Sequence, residues 1–390
     1  MKKILIVYPE MFIGGSTTSL LGLLSVINRD EYEIDLQLYS NSGALLDKIP
    51  SNINLLNQAC PAMSITAERI MKLTNPVTVI RKIQSRLFAK KSIYPLVESQ
   101  LMCYENARLS KKNSVKYDVA IAFLEGWPSI YVSKYINADR KYAWVHVDYS
   151  TAGFDSQIDN DMYGQFDRII SVSEKCRENM CNSFPNLRDR MIWIGNISDV
   201  DEIIAKSKEE ICFTLDTNNL NLVSVCRLSM RHKGLDRMLS FVEEYKKTVE
   251  SKIRWYVIGD GPDREEFIRL IEEKKLKQEV VLLGAKANPF PYIIGMDGFI
   301  LFSRYEGKPM AITEAQVLGV PVFVTEYASA REQIVNMKNG YILQNCDDTL
   351  VGEALSIVTK ENCFKIKKSM SQTRTKFEKE TVQINALLAE

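Results

Sequence analysis

The sequence predicts two successive α/β domains, each a parallel sheet covered by helices, and three observations carry that expectation. A chain of 390 residues exceeds one ordinary core, at roughly 100–200 residues per domain. Apolar runs of strand length recur, each followed by a turn and a longer amphipathic stretch, which is the alternation of a helix-covered parallel sheet. The rhythm lapses between Gly195 and Asp216, where NISDVDEIIAKSKEE replaces it, and restarts at Asn221.

In the first domain ILIVY leads into the helical TSLLGLLSVI; YEIDLQLYS follows, then YDVAIAFLE with the helix PSIYVSKYI, then KYAWVHV, then RIISVS with the helix EKCRENMCNSF. In the second, LNLVSVCRL precedes DRMLSFVEEYKK and RWYVIGDG precedes DREEFIRLIEEKK; EVVLLGA, GFILFSR, a helix around Glu314 and PVFVTE complete the series. The stretch from about Lys365 reads as helix and in a two-lobed protein would return to the first lobe. The expected limits are therefore 1–195, 196–370 and a returning helix 371–390.

With 46% hydrophobic and 25% charged residues, the composition is that of a soluble globular protein. A formal net charge of +1 gives no global attraction to nucleic acid, so no nucleic-acid partner is expected. The eight cysteines include no C-x-x-C pair, and two histidines are too few to complete structural zinc cages, so a reducing compartment without metal is the reading. Cys226 in LVSVC reads as a small buried hydrophobe. In MKKILIVYPE, Pro9 and Glu10 interrupt the apolar run too early for a signal-peptide core or a membrane span, which points to the cytoplasm.

Residues 60–116 depart from this balance, with Arg and Lys far outnumbering Glu68, Glu98 and Glu105. In PVTVIRKIQSRLFAKK, Val79, Ile80, Ile83 and Leu87 fall near one helical face flanked by cations. The stretch reads either as a surface helix packing its apolar stripe on the first domain or as an interfacial helix on an anionic membrane.

The chemistry concentrates at strand ends. SRYEGKPMAITEAQVLGVPV holds Glu306 and Glu314 eight residues apart. Pro309 separates them: it lacks an N–H and biases Lys308 away from helical dihedrals, so Glu306 belongs to a loop while Pro309 opens the helix bearing Glu314. Arg227 and Lys233 of CRLSMRHKG close the first strand of the second domain, where two cations would clamp a diphosphate; a merely solvated cluster, with Arg231 and His232 exposed, is the bland alternative. After the first strand, Gly14 and Gly15 precede Ser16, Thr17 and Thr18, a turn and helix start suited to an anion. It lacks the G-x-G-x-x-G of dinucleotide sites, and a structural turn explains it equally. Gly259 of VIGDGP and Gly284 of VLLGAK end further strands, as turns that would hold a base or as ordinary connections.

In order and spacing, YPEMFIGGSTTSLLGLL, WVHVD, CRLSMRHKG, VIGDGP, VLLG, SRYEGKPMAITEAQVLGVPV and ASAREQI resemble the retaining glycosyltransferases of family four, over nearly the whole chain. The resemblance implies a GT-B fold, two Rossmann-like domains facing a central cleft that holds a nucleotide sugar. It implies that Glu306, with Gly307, Lys308, Pro309 and His146, meets the donor sugar, and that Glu314 binds the ribose. Arg227 and Lys233, Gly14, Gly15 and the amides of Met310 and Ala311 would hold the diphosphate, and Gly259, Gly284, Ala285 and Lys286 the base. His146 and Asp148 join Glu306 in the catalytic set, Asp148 orienting His146 or meeting the acceptor. The implied reaction is metal-free and cofactor-free transfer of a hexose or N-acetylhexosamine from a UDP-sugar to a glycan, by family analogy a lipid-linked one in capsule, exopolysaccharide or lipopolysaccharide assembly at the cytoplasmic face of the membrane. Lys308 departs from a slot that is often aromatic or small, and either selects a sugar substituent or points to solvent.

Three readings compete. A metal-dependent transferase would use DND at Asp159–Asp161 or DVD at Asp199–Asp201, yet neither follows a clean apolar strand. A dinucleotide oxidoreductase lacks its glycine fingerprint. A non-catalytic relative that binds a nucleotide sugar or a membrane, or a transferase using a GDP-sugar, remains consistent with the same motifs.

Overall fold

The structure, a computed structural model, describes residues 1–60, 94–370 and 377–390. The amphipathic stretch 76–91 and most of the basic segment lie outside the described residues. Among the described residues no helix is long and apolar enough to cross a membrane. The chain forms two compact units. The first comprises Met1–Phe12, Leu23–Gly195 and Glu380–Glu390, and the second Ile13–Gly22 and Asn196–Lys379.

The first unit is built on β1 (Lys2–Tyr8), β2 (Tyr32–Leu38), β3 (Asn54–Leu55), β4 (Lys116–Ala122), β5 (Asn137–Val145), β6 (Arg168–Ser171) and β7 (Met191–Trp193), in the order β3-β2-β1-β4-β5-β6-β7. Every pair is parallel. Ile4, Leu5, Ile6 and Val7 are all fully buried, which is why β1 reads as an unbroken apolar run: a parallel strand covered on both faces needs apolar residues at every position. The order reverses between β1 and β4, and open α/β sheets receive ligands at the carboxyl ends flanking such a reversal. The helix Glu378–Ala389 buries Ile384, Leu387 and Leu388, and the Tyr142 hydroxyl donates to the Leu387 carbonyl at 3.1 Å.

The second unit carries β8 (Leu220–Val225), β9 (Ile253–Ile258), β10 (Val280–Gly284), β11 (Gly298–Leu301), β12 (Val322–Thr325) and β13 (Gly340–Leu343), in the order β10-β9-β8-β11-β12-β13, again all parallel. Successive residues divide between two cores, as a pleated strand requires. Leu222, Trp255, Val257 and Ile300 enter one cluster with Met238, Phe241 and Phe267. Val223, Tyr256, Ile258, Phe299 and Leu301 enter the other with Ile312 and Ala315. Here the order reverses between β8 and β11.

Two parallel-sheet α/β units are what the alternation of apolar runs predicts. The short strands β3, β7 and β13 were not among the expected runs, and NISDVDEIIAKSKEE contains the helix Val200–Lys206. Residues 13–22, placed with the first domain in the sequence reading, cluster with the second unit. The contacts that hold them there are specific: Ser19 donates to Asn196 at 2.8 Å, and Gly15 lies so close to Met310 that an added β-carbon would come within 3.3 Å of its Cγ.

Candidate functional site

The second unit's site grows from the two strands that flank its reversal. Beyond β8 the chain runs through Arg227, which is exposed, into the short helix Met230–Lys233. Gly234 ends that helix in the left-handed conformation, φ 62°, and an added β-carbon would lie 2.0 Å from the Phe302 carbonyl oxygen. Only glycine meets both demands, so the turn carrying Lys233 presses against the exit of β11. That exit is Phe302 to Pro309, with Pro309 extended at ψ 123° just before the helix Met310–Val317. The proline therefore separates loop from helix as the sequence indicates.

The carboxylate of Glu306 is 8% exposed. Its Oε1 accepts from Lys233 Nζ and from Ser303 Oγ, each at 2.6 Å, and its Oε2 lies 3.9 Å from His232 Nε2. His232 stacks on Tyr305, with ring centroids 4.3 Å apart and planes 9° from parallel. Burial, then the Lys233 charge, holds its imidazole below the ordinary pKa. The sequence reading leaves His232 merely exposed; the structure places it half-buried against the Glu306 loop, and no local motif announces that stack.

Glu314 sits on the helix Met310–Val317, buried at 6% exposure. Burial alone pushes its carboxyl up to about 7, and no hydrogen bond to its side chain is formed among the described residues. A buried acid without a partner is a group that a ligand's hydroxyls would satisfy. The same helix entry is braced from the ASAREQI segment: Gln333 Nε2 donates to the Pro309 carbonyl at 3.3 Å and to Thr313 Oγ1 at 3.1 Å, and Ser329 Oγ donates to the Gly307 carbonyl. Asn196 joins it to the helix Gly15–Val26, its Nδ2 donating to the Lys308 carbonyl at 3.2 Å while its Oδ1 accepts from Ser19. Arg227, Lys233, Gly15, Glu306, Gly307, Lys308, Pro309, Met310 and Ala311 thus gather on elements around one strand reversal, with Gly14 beside Gly15 and Glu314 one turn along the helix. Asn196 and Ser303 were missed; the partners of Asn196 lie more than a hundred positions away in sequence.

Gly259, Gly284, Ala285 and Lys286 lie at the ends of β9 and β10. Gly259 has φ 146° and approaches the Cys226 carbonyl so closely that a β-carbon would lie 1.9 Å away; that glycine packs two strand exits together. The Lys286 ammonium lies 5.3 Å from the centre of the Tyr292 ring. Burial pushes the Cys226 thiol up to about 12, so it stays protonated.

In the first unit, His146 follows β5 and its ring meets Phe123 edge-on at 4.8 Å. Burial lowers its pKa to about 3, so the imidazole is neutral, and its Nε2 is buried with no hydrogen-bond partner. Asp148 does not bond His146 among the described residues. It caps the short helix Tyr149–Ala152: Oδ1 accepts from the Ser150 N–H at 3.2 Å and its hydroxyl at 2.8 Å, and Oδ2 accepts from Asn179 at 3.1 Å. Both oxygens are committed to local structure. The carboxylate that touches this histidine is Glu125, which the sequence reading passed over: its Oε2 accepts from the His146 backbone N–H at 3.0 Å.

The acidic tripeptides also serve local structure. Asp159 is buried and accepts from Tyr149 at 2.7 Å, Gln100 at 2.8 Å and Tyr104 at 3.1 Å, and Asp199 caps the helix Val200–Lys206. Among the described residues no three His, Cys, Asp or Glu side chains are grouped to hold a metal ion.

The sequence model of the family described as glycosyl transferases group 1 matches residues 208–377. A Salmonella typhi Vi polysaccharide biosynthesis protein, VipC/TviE, is 33% identical over 101 residues, 26% of this chain and 18% of that one. A Campylobacter jejuni enzyme named as an N-acetylgalactosaminyltransferase acting on a diphospho-undecaprenol-linked saccharide is 24% identical over 229 residues, 58% of this chain and 60% of its own length. The matches thus span less than two thirds of either relative. Anabaena Alr3699/HepE, solved with UDP and glucose, superposes over 100% of both chains with a TM-score of 0.67 at 15% identity, a likeness of fold.

Proposed function

We propose, from the premise that the chain belongs through residues 208–377 to the glycosyl transferases group 1 family, that it is a retaining, metal-independent glycosyltransferase. It moves a hexose or N-acetylhexosamine from a UDP-sugar to a lipid-linked glycan in the synthesis of a bacterial surface polysaccharide. The observation that carries the reading is the Lys233–Glu306 pair at 2.6 Å on the two strand exits flanking the reversal of β8 and β11, one helix entry from the unpartnered Glu314.

In this reading the donor diphosphate lies against Arg227, Lys233, Gly14 and Gly15 and the amides of Met310 and Ala311, where helix N–H groups and cations stabilise negative charge. The charge grows as the glycosidic bond breaks, so these groups act most strongly in the transition state. Lys233 is held by Glu306 in the free protein and is drawn toward the diphosphate as donor binds, which frees one Glu306 oxygen for the sugar hydroxyls. Glu314 accepts from the ribose. The lipid-linked acceptor is supported by the diphospho-undecaprenol-linked substrate in the name of the Campylobacter relative, and it would bring the enzyme to the inner face of the cell membrane.

The test is release of UDP or GDP from a panel of UDP- and GDP-sugars, with and without a chelator. UDP release that survives chelation is expected. Activity lost on chelation, or confined to GDP donors, overturns the corresponding part of the reading. Among variants, Glu314→Gln raises the donor KM with kcat nearly kept, whereas Glu306→Gln lowers kcat by about 100-fold, the scale of one lost transition-state contact.

A further inference from the structure

The Lys233–Glu306 pair spans two segments that a third residue fastens together. Arg304 lies on the exit of β11, two residues before Glu306, and its backbone N–H donates to the His232 carbonyl at 3.0 Å. Its Nη1 donates to the Arg231 carbonyl at 3.1 Å. One arginine thus takes the carbonyls of the two residues that precede Lys233 on the short helix Met230–Lys233. The side chain is itself anchored. Nη1 and Nη2 fork onto Asp236, in the first turn of the helix Leu235–Thr248, at 2.9 and 2.7 Å, and Nη2 reaches Asp347 at 3.5 Å. The Arg304 carbonyl accepts from Asn345 Nδ2 at 3.0 Å. Asn345 Oδ1 in turn accepts at 2.6 Å from the buried Arg237, which pairs with Asp347 and donates to the Phe302 carbonyl at 3.3 Å.

An arginine beside a donor site could serve as a further cation for the diphosphate or as a clamp on its neighbours. A guanidinium carries five N–H donors in a fixed fork, and those of Nη1 and Nη2 are taken by Arg231, Asp236 and Asp347. Its charge is matched as well, since Arg237 and Arg304 face Asp236 and Asp347. The Lys233 ammonium, by contrast, has Glu306 as its acidic partner among the described residues and exchanges it when an anion arrives. We propose that Arg304 is a positioning residue of the donor site: anchored on Asp236, it grips the Arg231 and His232 carbonyls and holds Lys233 where its ammonium passes from Glu306 to the donor diphosphate. The inference rests on the donor-binding part of the reading above and adds the group that sets the place of the lysine. Arg304 touches neither the substrate nor the reacting atoms.

The test is a set of double-mutant cycles on UDP affinity, measured by calorimetric titration. Arg304→Lys keeps the charge but cannot span the Asp236 carboxylate and the Arg231 carbonyl with one planar fork. In the parent it is expected to weaken UDP about fivefold, within the coupling range of residues in one hydrogen-bonded network. In a Lys233→Ala background the same change should cost less than about twofold, because the group it positions is gone, whereas beside Glu314→Gln it should again cost about fivefold. Asp236→Asn, which loosens the anchor and leaves Arg304 in place, should repeat the pattern with a smaller loss. A general loss of stability would weaken UDP equally in all three backgrounds. If Arg304→Lys costs as much beside Lys233→Ala as in the parent, or leaves UDP affinity of the parent unchanged, the positioning role is wrong and the transferase reading stands. If the parent binds UDP and the cycles behave as expected but no UDP-sugar is turned over, the transferase reading falls and the positioning of Lys233 stands. If the parent binds no UDP, both fall.

Discussion

Glu314 makes donor binding pH-dependent through one residue. Burial holds its carboxyl near 7, so it is mostly protonated at pH 6 and mostly ionised at pH 8. An ionised carboxylate accepts from both ribose hydroxyls, so binding favours the charged form and releases a proton. UDP affinity should therefore rise by about tenfold between pH 6 and pH 8, as the ionised fraction rises from roughly a tenth to nine tenths. The terminal phosphate of UDP titrates near 6 as well, and Glu314→Gln, which lacks the carboxyl, isolates that contribution. Calorimetric titration of both proteins at the two pH values checks this; an identical pH profile in the variant would exclude the role. At this scale the sequence was legible where chemistry is local. Pro309 between the two acids separates loop from helix by backbone sterics alone. It was illegible where a side chain's partner is distant. Nothing near Asp148 shows that Asn179 takes its second oxygen, and nothing near Glu125 shows that it faces His146.

Among elements, the start of the helix Gly15–Val26 and the helix Met310–Val317 lie far apart in sequence and meet through Asn196. Ser19, Asn196 and the Lys308 carbonyl form one chain of hydrogen bonds at 2.8 and 3.2 Å. Asn196→Ala removes both bonds, each contributing ~1 kcal/mol, and lets the glycine turn move relative to the helix N-terminus. UDP affinity is expected to fall by about tenfold, with Ser19→Ala giving a smaller loss. The double variant should bind no worse than Asn196→Ala, because both changes break one linkage. Equilibrium binding of UDP measures all three; full additivity would show that the two residues act separately. Longer strands here could be read from apolar runs such as Ile4–Val7 of β1 and Val119–Ala122 of β4. The short β3 and β7 are two and three residues long, too brief for any period to register, and only pairing with a neighbour makes them strands.

For the molecule as a whole, the division into two units separates donor binding from the stability of the first unit. Gly15, Arg227, Lys233, Glu306 and Glu314 all belong to the second unit, whereas the terminal segment Glu380–Glu390 belongs to the first. That segment buries Ile384, Leu387 and Leu388 and receives the Tyr142 hydroxyl. Deleting 380–390 uncovers their apolar neighbours, at a cost on the order of 5 kcal/mol for three large side chains. At roughly 2–4 °C per kcal/mol for a unit of this size, the first unit's unfolding transition should fall by about 10–20 °C. UDP affinity should stay within about twofold of the parent, and UDP at 100 times its Kd should still stabilise the second unit by about 2.7 kcal/mol. Scanning calorimetry of parent and truncated chains, each with and without UDP, reads both effects. If truncation instead removed UDP binding while the first unit's transition stayed in place, the terminal segment would be serving the donor site, and the assignment of the UDP contacts to the second unit would be wrong.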